Sequence, residues 1–221
     1  RSLIPQDTPD LQASRRIARH LMASLDAGRT AYLGPDLSHR RTLRFQVLRT
    51  QGVRALVAQQ AREGKVPRRK VFEEAQAMFD EIAADYTPAF VQFMERVLKW
   101  LWTRIYDGVE VAHGQTLAGI AAGNELVYVP CHRSTMDDLL MPYAIYTQGF
   151  VIPHIAAGIN LNLPVVGPLL RKGGAFFMRR SFRGNALYTV VFMNYLGEIM
   201  SRGHPLQYFI EGGRSRTGRL L

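Results

Sequence analysis

The fold of this chain is decided by residues 126–140, which read Leu126-Val127-Tyr128-Val129-Pro130-Cys131-His132-Arg133-Ser134-Thr135-Met136-Asp137-Asp138-Leu139-Leu140. The β-branched and aromatic run at the start is typical of a buried strand. Ser134, or Thr135 beside it, is a natural N-cap, and Ser134 and Asp137 have capping-box spacing. We therefore predict a strand, a loop that carries His132, and a helix that begins near residue 135.

His132 and Asp137 form a candidate catalytic pair. On one continuous helix a five-residue separation turns through about 500° and points side chains apart, so His132 must lie outside the helix. A carboxylate that binds one imidazole nitrogen leaves the other nitrogen available as a general base. The alternative is that Asp137 only caps its helix and His132 hydrogen-bonds to the loop.

Two later segments place glycines and arginines around the end of an apolar strand. They read Lys172-Gly173-Gly174-Ala175-Phe176-Phe177-Met178-Arg179-Arg180 and Tyr208-Phe209-Ile210-Glu211-Gly212-Gly213-Arg214-Ser215-Arg216-Thr217-Gly218-Arg219. Guanidinium groups are always charged and suit a phosphate, and glycines let the backbone approach an oxyanion closely. The alternatives are a solvated basic loop and an ordinary Gly-Gly turn.

Strand and helix patterns alternate through the second half of the chain. Residues 11–106 are helical in pattern, after which strands near 126, 150, 175 and 207 alternate with helical patterns at 135, 164 and 186. This order favours an α/β fold with a helical N-terminal region (1–110) and an α/β core (111–221). Open α/β sheets bind ligands beyond the carboxyl ends of their strands, where the three polar segments lie.

Charge and cysteine content narrow the function classes. The chain has 221 residues, 47% of them hydrophobic, and a net charge of +10, with nine basic against two acidic residues from Arg171 onward. Such a surface suits phosphorylated substrates, an acidic acyl carrier, anionic lipid or nucleic acid. No nucleic-acid-binding module is recognisable. The single cysteine, Cys131, excludes an intrachain disulfide framework, and no histidine has a metal-ligand partner at useful spacing.

Two segments are candidates for contact with a lipid surface. Between Phe90 and Ile105 apolar residues recur at helical spacing, with Trp100 on the flank and Lys99 and Arg104 nearby. This helix either packs on the core or lies on a bilayer. Residues 185–202 are apolar nearly all round and could be buried between sheet and membrane. The sequence contains no run of about 18 apolar residues, the length that would predict a membrane-spanning helix.

Taken in order, these segments resemble the membrane-bound bacterial glycerol-3-phosphate acyltransferases of the PlsB type, within the glycerolipid acyltransferase superfamily. The resemblance covers residues 127–221 and includes a further block, Ile155-Ala156-Ala157-Gly158-Ile159-Asn160-Leu161-Asn162. It implies a mixed-sheet α/β acyltransferase core. Since that family has a fourth block and a long region beyond it, we expect this chain to be an internal piece, truncated at its C-terminus.

The resemblance also implies an activity and roles for individual residues. His132 would act as general base on the sn-1 hydroxyl of glycerol 3-phosphate, which attacks an acyl thioester (acyl-CoA or acyl carrier protein), and Asp137 would support it. The product would be 1-acyl-glycerol 3-phosphate, in the first step of phospholipid synthesis. The residues expected to hold the polyol phosphate are Arg179, Arg180, Glu211, Gly212, Arg214 and Ser215.

The resemblance further implies the surroundings of the protein. We expect it to lie at the cytoplasmic face of the bacterial inner membrane, peripheral or monotopic, in contact with anionic phospholipid. We expect no cofactor, no metal and no nucleic-acid partner. The sequence departs from the family pattern at Thr135, where a second histidine is common, and at Asp138, where an aromatic residue is common.

Other functions compete with this interpretation. A noncatalytic protein that binds anionic lipid through the basic loops and the amphipathic helix would not need His132. A nucleotide-binding loop is disfavoured because Arg219 and Leu220 stand where such a loop needs Lys and then Ser or Thr. A hydrolase is disfavoured because the Gly-x-Ser-x-Gly elbow is missing.

Overall fold

The computed structural model of the chain describes residues 40–121, 124–134, 136–211, 213–215 and 217. Helices come first in this part of the chain, and helices and strands then alternate. The first helices are α1 (Arg40–Arg49), α2 (Gln51–Glu63), α3 (Arg68–Ile82) and α4 (Pro88–Arg104). The rest follow in the order α5 (Gly114–Ala121), β1 (Val127–Tyr128), α6 (Asp137–Thr147), β2 (His154–Gly158), a 3₁₀ turn (Ile159–Leu161), α7 (Val166–Lys172), β3 (Ala175–Met178), α8 (Ala186–Ser201) and β4 (Leu206–Gln207).

The strands form a sheet in the order β1-β4-β2-β3, and its three described pairings are all parallel. The prediction of a helical region followed by an α/β core is confirmed, but a mixed sheet was expected and the described pairings contain no antiparallel pair. Each strand from β1 to β3 is followed by a helix that carries the chain back, which parallel pairing requires. The carboxyl ends of the strands therefore meet at one edge of the sheet.

The largest hydrophobic core lies between α8 and the N-terminal helices. Its residues come from α1, α2, α3, α8 and the short segment after α3, together with Phe176 of β3. Leu187, Tyr188 and Tyr195 of α8 are fully buried, and burial of such side chains contributes about 1.5–3 kcal/mol each. Since α1, α2 and α3 pack on α8, protein covers the helix for which a membrane was one interpretation. The domain boundary near residue 110 stays a prediction, and this core includes residues from both sides of it.

A buried arginine fixes the end of α3 to the segment before β3. The guanidinium of Arg171, which is 7% exposed, donates hydrogen bonds to the carbonyl oxygens of Ala83 and Glu81. The backbone N–H groups of Asp85 and Thr87 donate in turn to the carbonyls of Arg171 and Lys172. A cation at a helix C-terminus satisfies carbonyls that have no partner inside the helix. The N-terminal helices are thereby attached at the base of β3.

Helix α4 has one buried and one exposed apolar face. Val91, Leu98 and Trp102 are buried, whereas Phe93 and Trp100 are 55% and 62% exposed. Packing on the protein therefore accounts for only part of the apolar pattern of this helix. Within the described ranges, every helix is either too short or too polar to cross a bilayer.

Gly174 occupies a backbone conformation that other residues adopt at a cost. Its φ is +97°, and an added Cβ would lie 3.1 Å from the carbonyl oxygen of Pro153. We expect Gly174→Ala to lower the free energy of unfolding by about 1–2 kcal/mol, measured by urea-induced unfolding. Gly197→Ala is the matched control, because Gly197 is helical and has no heavy atom within 4 Å of an added Cβ. It should raise stability by about 0.5–1 kcal/mol. Equal stability of Gly174→Ala and the unsubstituted chain would contradict this account.

Candidate active site

The loop between β1 and α6, residues 129–136, is here named the His loop. The backbone N–H of Ser134 donates to Asp137 Oδ2 at 2.7 Å, and that of Met136 donates to Ser134 Oγ at 3.1 Å. The bond from Ser134 to Asp137 fits the predicted capping-box spacing, but the N-cap of α6 is Met136, so the prediction of Ser134 as the N-cap is wrong. The N–H of Arg133 also donates to Asp137 Oδ2, at 2.6 Å. One carboxylate oxygen thus holds two consecutive amides, and it sets the path of the loop past His132.

The imidazole of His132 lies beside this same carboxylate oxygen. The distance from Nδ1 of His132 to Oδ2 of Asp137 is 3.6 Å, beyond a normal hydrogen bond but within ion-pair range. The two side chains are 14% and 22% exposed. The ring of His132 stacks on Phe209, with centroids 4.1 Å apart. Because Nδ1 is turned toward Asp137, Nε2 is the nitrogen that remains for a ligand. The predicted proximity of His132 and Asp137 is confirmed, and their catalytic role stays a prediction.

The segment after β4, residues 208–217, is here named the β4 loop, and it binds the backbone of His132 on both sides. The N–H of His132 donates to Glu211 Oε2 at 2.9 Å, and the N–H of Ser215 donates to the carbonyl of His132 at 2.8 Å. Ser215 is 6% exposed, whereas Arg214 is exposed. Gly212 lies outside the described residues. The His loop and the β4 loop therefore form one unit.

A second carboxylate, that of Asp138, lies near this unit. Burial raises the pKa of Asp138, the positive charges of His132 and Arg214 oppose that rise, and the charge of Asp137 adds to it. The residue therefore occupies a half-buried position within electrostatic range of His132, Asp137 and Arg214. Sequence reasoning noted Asp138 only as a departure from the family pattern. It also gave no role to Phe209, although Phe209 lies inside a quoted segment.

The two arginines after β3 have different surroundings. Residues 179–185 between β3 and α8 are here named the β3 loop. Arg179 forms a two-pronged ion pair with Glu81, at 2.7 Å for each N–O distance. Its guanidinium also lies 4.3 Å from the ring centroid of Tyr188. The hydrogen bonding of Arg179 to the Glu81 carboxylate, which accepts from the guanidinium, is the main cause that raises the pKa of Arg179. Arg180, next in the chain, is exposed and forms no ion pair with a described residue.

The order of the strands sets the distance between the points at which the β3 and β4 loops leave the sheet. Neighbouring strands are about 4.8 Å apart, so the ends of β3 and β4, with β2 between them, are separated by roughly 10 Å. The β3 and β4 loops, which carry the exposed Arg180 and Arg214, thus leave the sheet on either side of β2, and His132 lies beside the β4 loop. Exposed guanidinium groups on these two loops can bind an anion, and the β4 loop also holds the backbone of an imidazole that can accept a proton. Within the described residues, no three His, Cys, Asp or Glu side chains are grouped as metal ligands.

Comparison with known proteins points to one family. The family model for Acyltransferase matches residues 111–221. A glycerol-3-phosphate acyltransferase of Pseudomonas putida is 52% identical to the chain over 193 residues, which are 87% of this chain and 23% of that protein. The protein of the same name from Ectopseudomonas mendocina is 48% identical over 221 residues, 100% of this chain and 27% of the relative.

A further protein named glycerol-3-phosphate acyltransferase, from Pseudomonas syringae pv. tomato, is 49% identical over 211 residues, 96% of this chain and 25% of its own length. The chain therefore spans about a quarter of the length of the curated relatives it matches.

Proposed function

The chain belongs to the acyltransferase family, and we propose that it transfers a fatty acyl group from an acyl thioester to the sn-1 hydroxyl of glycerol 3-phosphate. The product is 1-acyl-glycerol 3-phosphate, the first intermediate of phospholipid synthesis, and the donor is acyl-CoA or acyl-ACP, the acylated acyl carrier protein. The names of the relatives support the acceptor. The segments quoted from the sequence support membership of the PlsB type.

One observation carries this proposal: both backbone groups of His132 are hydrogen-bonded to the loop that presents Arg214. A general base must lie within reach of the hydroxyl that it deprotonates, and a bound phosphate fixes where that hydroxyl lies. Because the two loops are joined, a phosphate held by Arg214 has a defined position relative to the imidazole. Separate loops would give no such constraint.

The reaction proceeds through a tetrahedral intermediate. Nε2 of His132 takes the hydroxyl proton as the oxygen attacks the thioester carbonyl, and the carbonyl electrons move onto its oxygen. The C–S bond breaks when they return, and the departing sulfur takes the proton back from the imidazolium. The products are the ester and a free thiol, so the histidine ends as it began.

Asp137 has both a structural and an electrostatic part in this mechanism. Its Oδ2 holds the amides of Arg133 and Ser134 and lies 3.6 Å from Nδ1 of His132. In the transition state the imidazole gains positive charge, and a carboxylate at this distance stabilises that charge. Since Nδ1 lies beside Asp137, Nε2 is the nitrogen that takes the substrate's proton in this mechanism.

Four of the six predicted phosphate ligands divide into two groups. Arg180 and Arg214 are exposed, on the loops after β3 and β4, and supply the positive charge. Glu211 and Ser215 bind the backbone of His132, so they connect the phosphate site to the base. Arg179 is engaged by Glu81, and Gly212 lies outside the described residues. We assign direct phosphate contact to Arg180 and Arg214.

Substitution of the base tests the proposal. In the full-length protein, His132→Ala should lower glycerol-3-phosphate-dependent thiol release from acyl-CoA by about 10²–10⁴-fold. His113→Asn, at an exposed histidine outside the site, is the control and should keep full activity. An active His132→Ala protein would contradict the assigned base. An inactive unsubstituted protein that still binds anionic vesicles would favour the noncatalytic lipid-binding alternative.

We also propose that the protein lies on the cytoplasmic face of the bacterial inner membrane and contacts anionic lipid through α4. Phe93, Val97 and Trp100 share one exposed face of this helix, because positions four and seven residues apart align. Arg96 and Arg104 are exposed beside or on this face. Apolar side chains flanked by basic ones suit the boundary of a bilayer with anionic headgroups.

Removal of the two large aromatic side chains tests the α4 surface. Phe93→Ser combined with Trp100→Ser should weaken binding of the purified full-length protein to vesicles of phosphatidylethanolamine and phosphatidylglycerol by tenfold or more, since each buried aromatic contributes about 1.5–3 kcal/mol. Cosedimentation measures the bound fraction. Phe45→Ser is the control, because Phe45 is equally exposed, at 56%, but lies on α1. Unchanged binding of the double variant would rule out this surface.

A further inference from the structure

We propose that Glu81, at the end of α3, is a positioning residue of the phosphate site. It holds Arg179 so that, of these two adjacent arginines, only Arg180 is directed to the ligand. This inference rests on the proposed function, because the ligand in question is the phosphate of the acceptor. It assigns a role in the site to the N-terminal helices. It also separates two adjacent arginines that the sequence predicted to act together.

The contact between Glu81 and Arg179 has the geometry of a strong ion pair. Nε and Nη2 of Arg179 each donate to a different carboxylate oxygen of Glu81, both at 2.7 Å. Two parallel charge-assisted bonds fix the orientation of the guanidinium as well as its position. The side chains are only 34% and 25% exposed. The charge of Arg179 is therefore matched before any ligand arrives.

The backbone of Arg179 is fixed as well. Its N–H donates to the hydroxyl of Tyr188 at 3.1 Å, and Tyr188 is fully buried in the first turn of α8. The N–H of Tyr188 donates in turn to the capping side chain of Asn185 at 2.9 Å. Arg180 follows Arg179 directly, so its Cα starts from a rigid point. Its side chain is exposed, on the loop that follows β3.

The position of Glu81 on its helix carries a cost that the ion pair offsets. Glu81 lies in the last turn of α3, which contains no basic residue, and a negative charge is unfavourable at a helix C-terminus. The guanidinium of Arg171 binds the carbonyl oxygen of Glu81 at 2.6 Å, and Arg179 binds its carboxylate. Two arginines from the region around β3 therefore hold this residue in place.

Loss of the ion pair should weaken the binding of glycerol 3-phosphate and leave the rate of the chemical step nearly unchanged. Glu81→Gln leaves the guanidinium of Arg179 without its carboxylate, so Arg179 can turn toward the phosphate and displace Arg180. We expect KM for glycerol 3-phosphate to rise about tenfold, the equivalent of one lost charge-assisted contact. The values of kcat and of KM for acyl-CoA should change by less than about threefold. A purely structural role would instead lower the amount of active enzyme and leave KM unchanged.

A double-mutant cycle in the full-length protein distinguishes a positioning arginine from a ligand. If Glu81 acts by holding Arg179 away from the phosphate, Arg179→Gln changes KM by less than about threefold and the double variant loses the rise that Glu81→Gln causes, because neither has a guanidinium at 179 to displace Arg180. If Arg179 binds the phosphate itself, Arg179→Gln has the larger effect and the two effects add. That second pattern would overturn the proposal. Glu81→Asp should recover part of the affinity.

Two controls separate this inference from the proposed function. Glu74→Gln, at an exposed glutamate of the same helix, should leave all kinetic constants unchanged. The affinity for inorganic phosphate, measured by calorimetry, requires no turnover and should fall about tenfold in Glu81→Gln. An inactive unsubstituted protein would defeat the proposed function, and the phosphate affinities would still decide the role of Glu81. Equal phosphate affinity of Glu81→Gln and the unsubstituted protein would overturn the inference.

Discussion

The structure depends on the contact between the His loop and the β4 loop. Strands β1 and β4 pair over only two residues each, too short a ladder to position two loops by itself. Backbone bonds extend it, from Tyr208 N–H to the carbonyl of Tyr128 and then from Ser215 N–H to the carbonyl of His132. Glu211 completes the series by accepting the N–H of His132. The base is thus placed by main-chain bonds, which leaves its side chain available for chemistry.

The N-terminal helices support β3, which lies at the opposite side of the sheet from β1. Arg171 fastens the end of α3 to the base of β3, and Glu81 from the same turn reaches the carboxyl end of that strand. The same helices cover α8 in the largest core. Their packing therefore fixes both ends of β3. The β3 loop, which follows this strand, thus begins from a fixed point. The N-terminal region is part of the framework of the site.

Sequence patterns predicted the features that depend on residues close together in the chain, such as helix starts and strand positions. The strand before His132 and the helices starting near 135, 164 and 186 are confirmed within two residues. The carboxylate of Asp137 accepts the N–H of Ser134, as the spacing predicted, but the N-cap is Met136 and not Ser134. The apolar run near 150 is buried, but β2 begins only at His154, because Pro153 has no N–H to donate to a ladder. Contacts between distant residues could not be predicted. The strand order and the pairing of Glu81 with Arg179, 98 residues apart, leave no periodic signal in the sequence.

The central claim is that the joined loops place a hydroxyl of glycerol 3-phosphate at His132 by holding its phosphate. It is tested most directly by a structure of the full-length protein with glycerol 3-phosphate bound. The account predicts a substrate hydroxyl oxygen about 2.6–3.2 Å from Nε2 of His132, with phosphate oxygens bound to Arg180 and Arg214. A phosphate that contacts neither arginine, or a hydroxyl out of reach of Nε2, would contradict it.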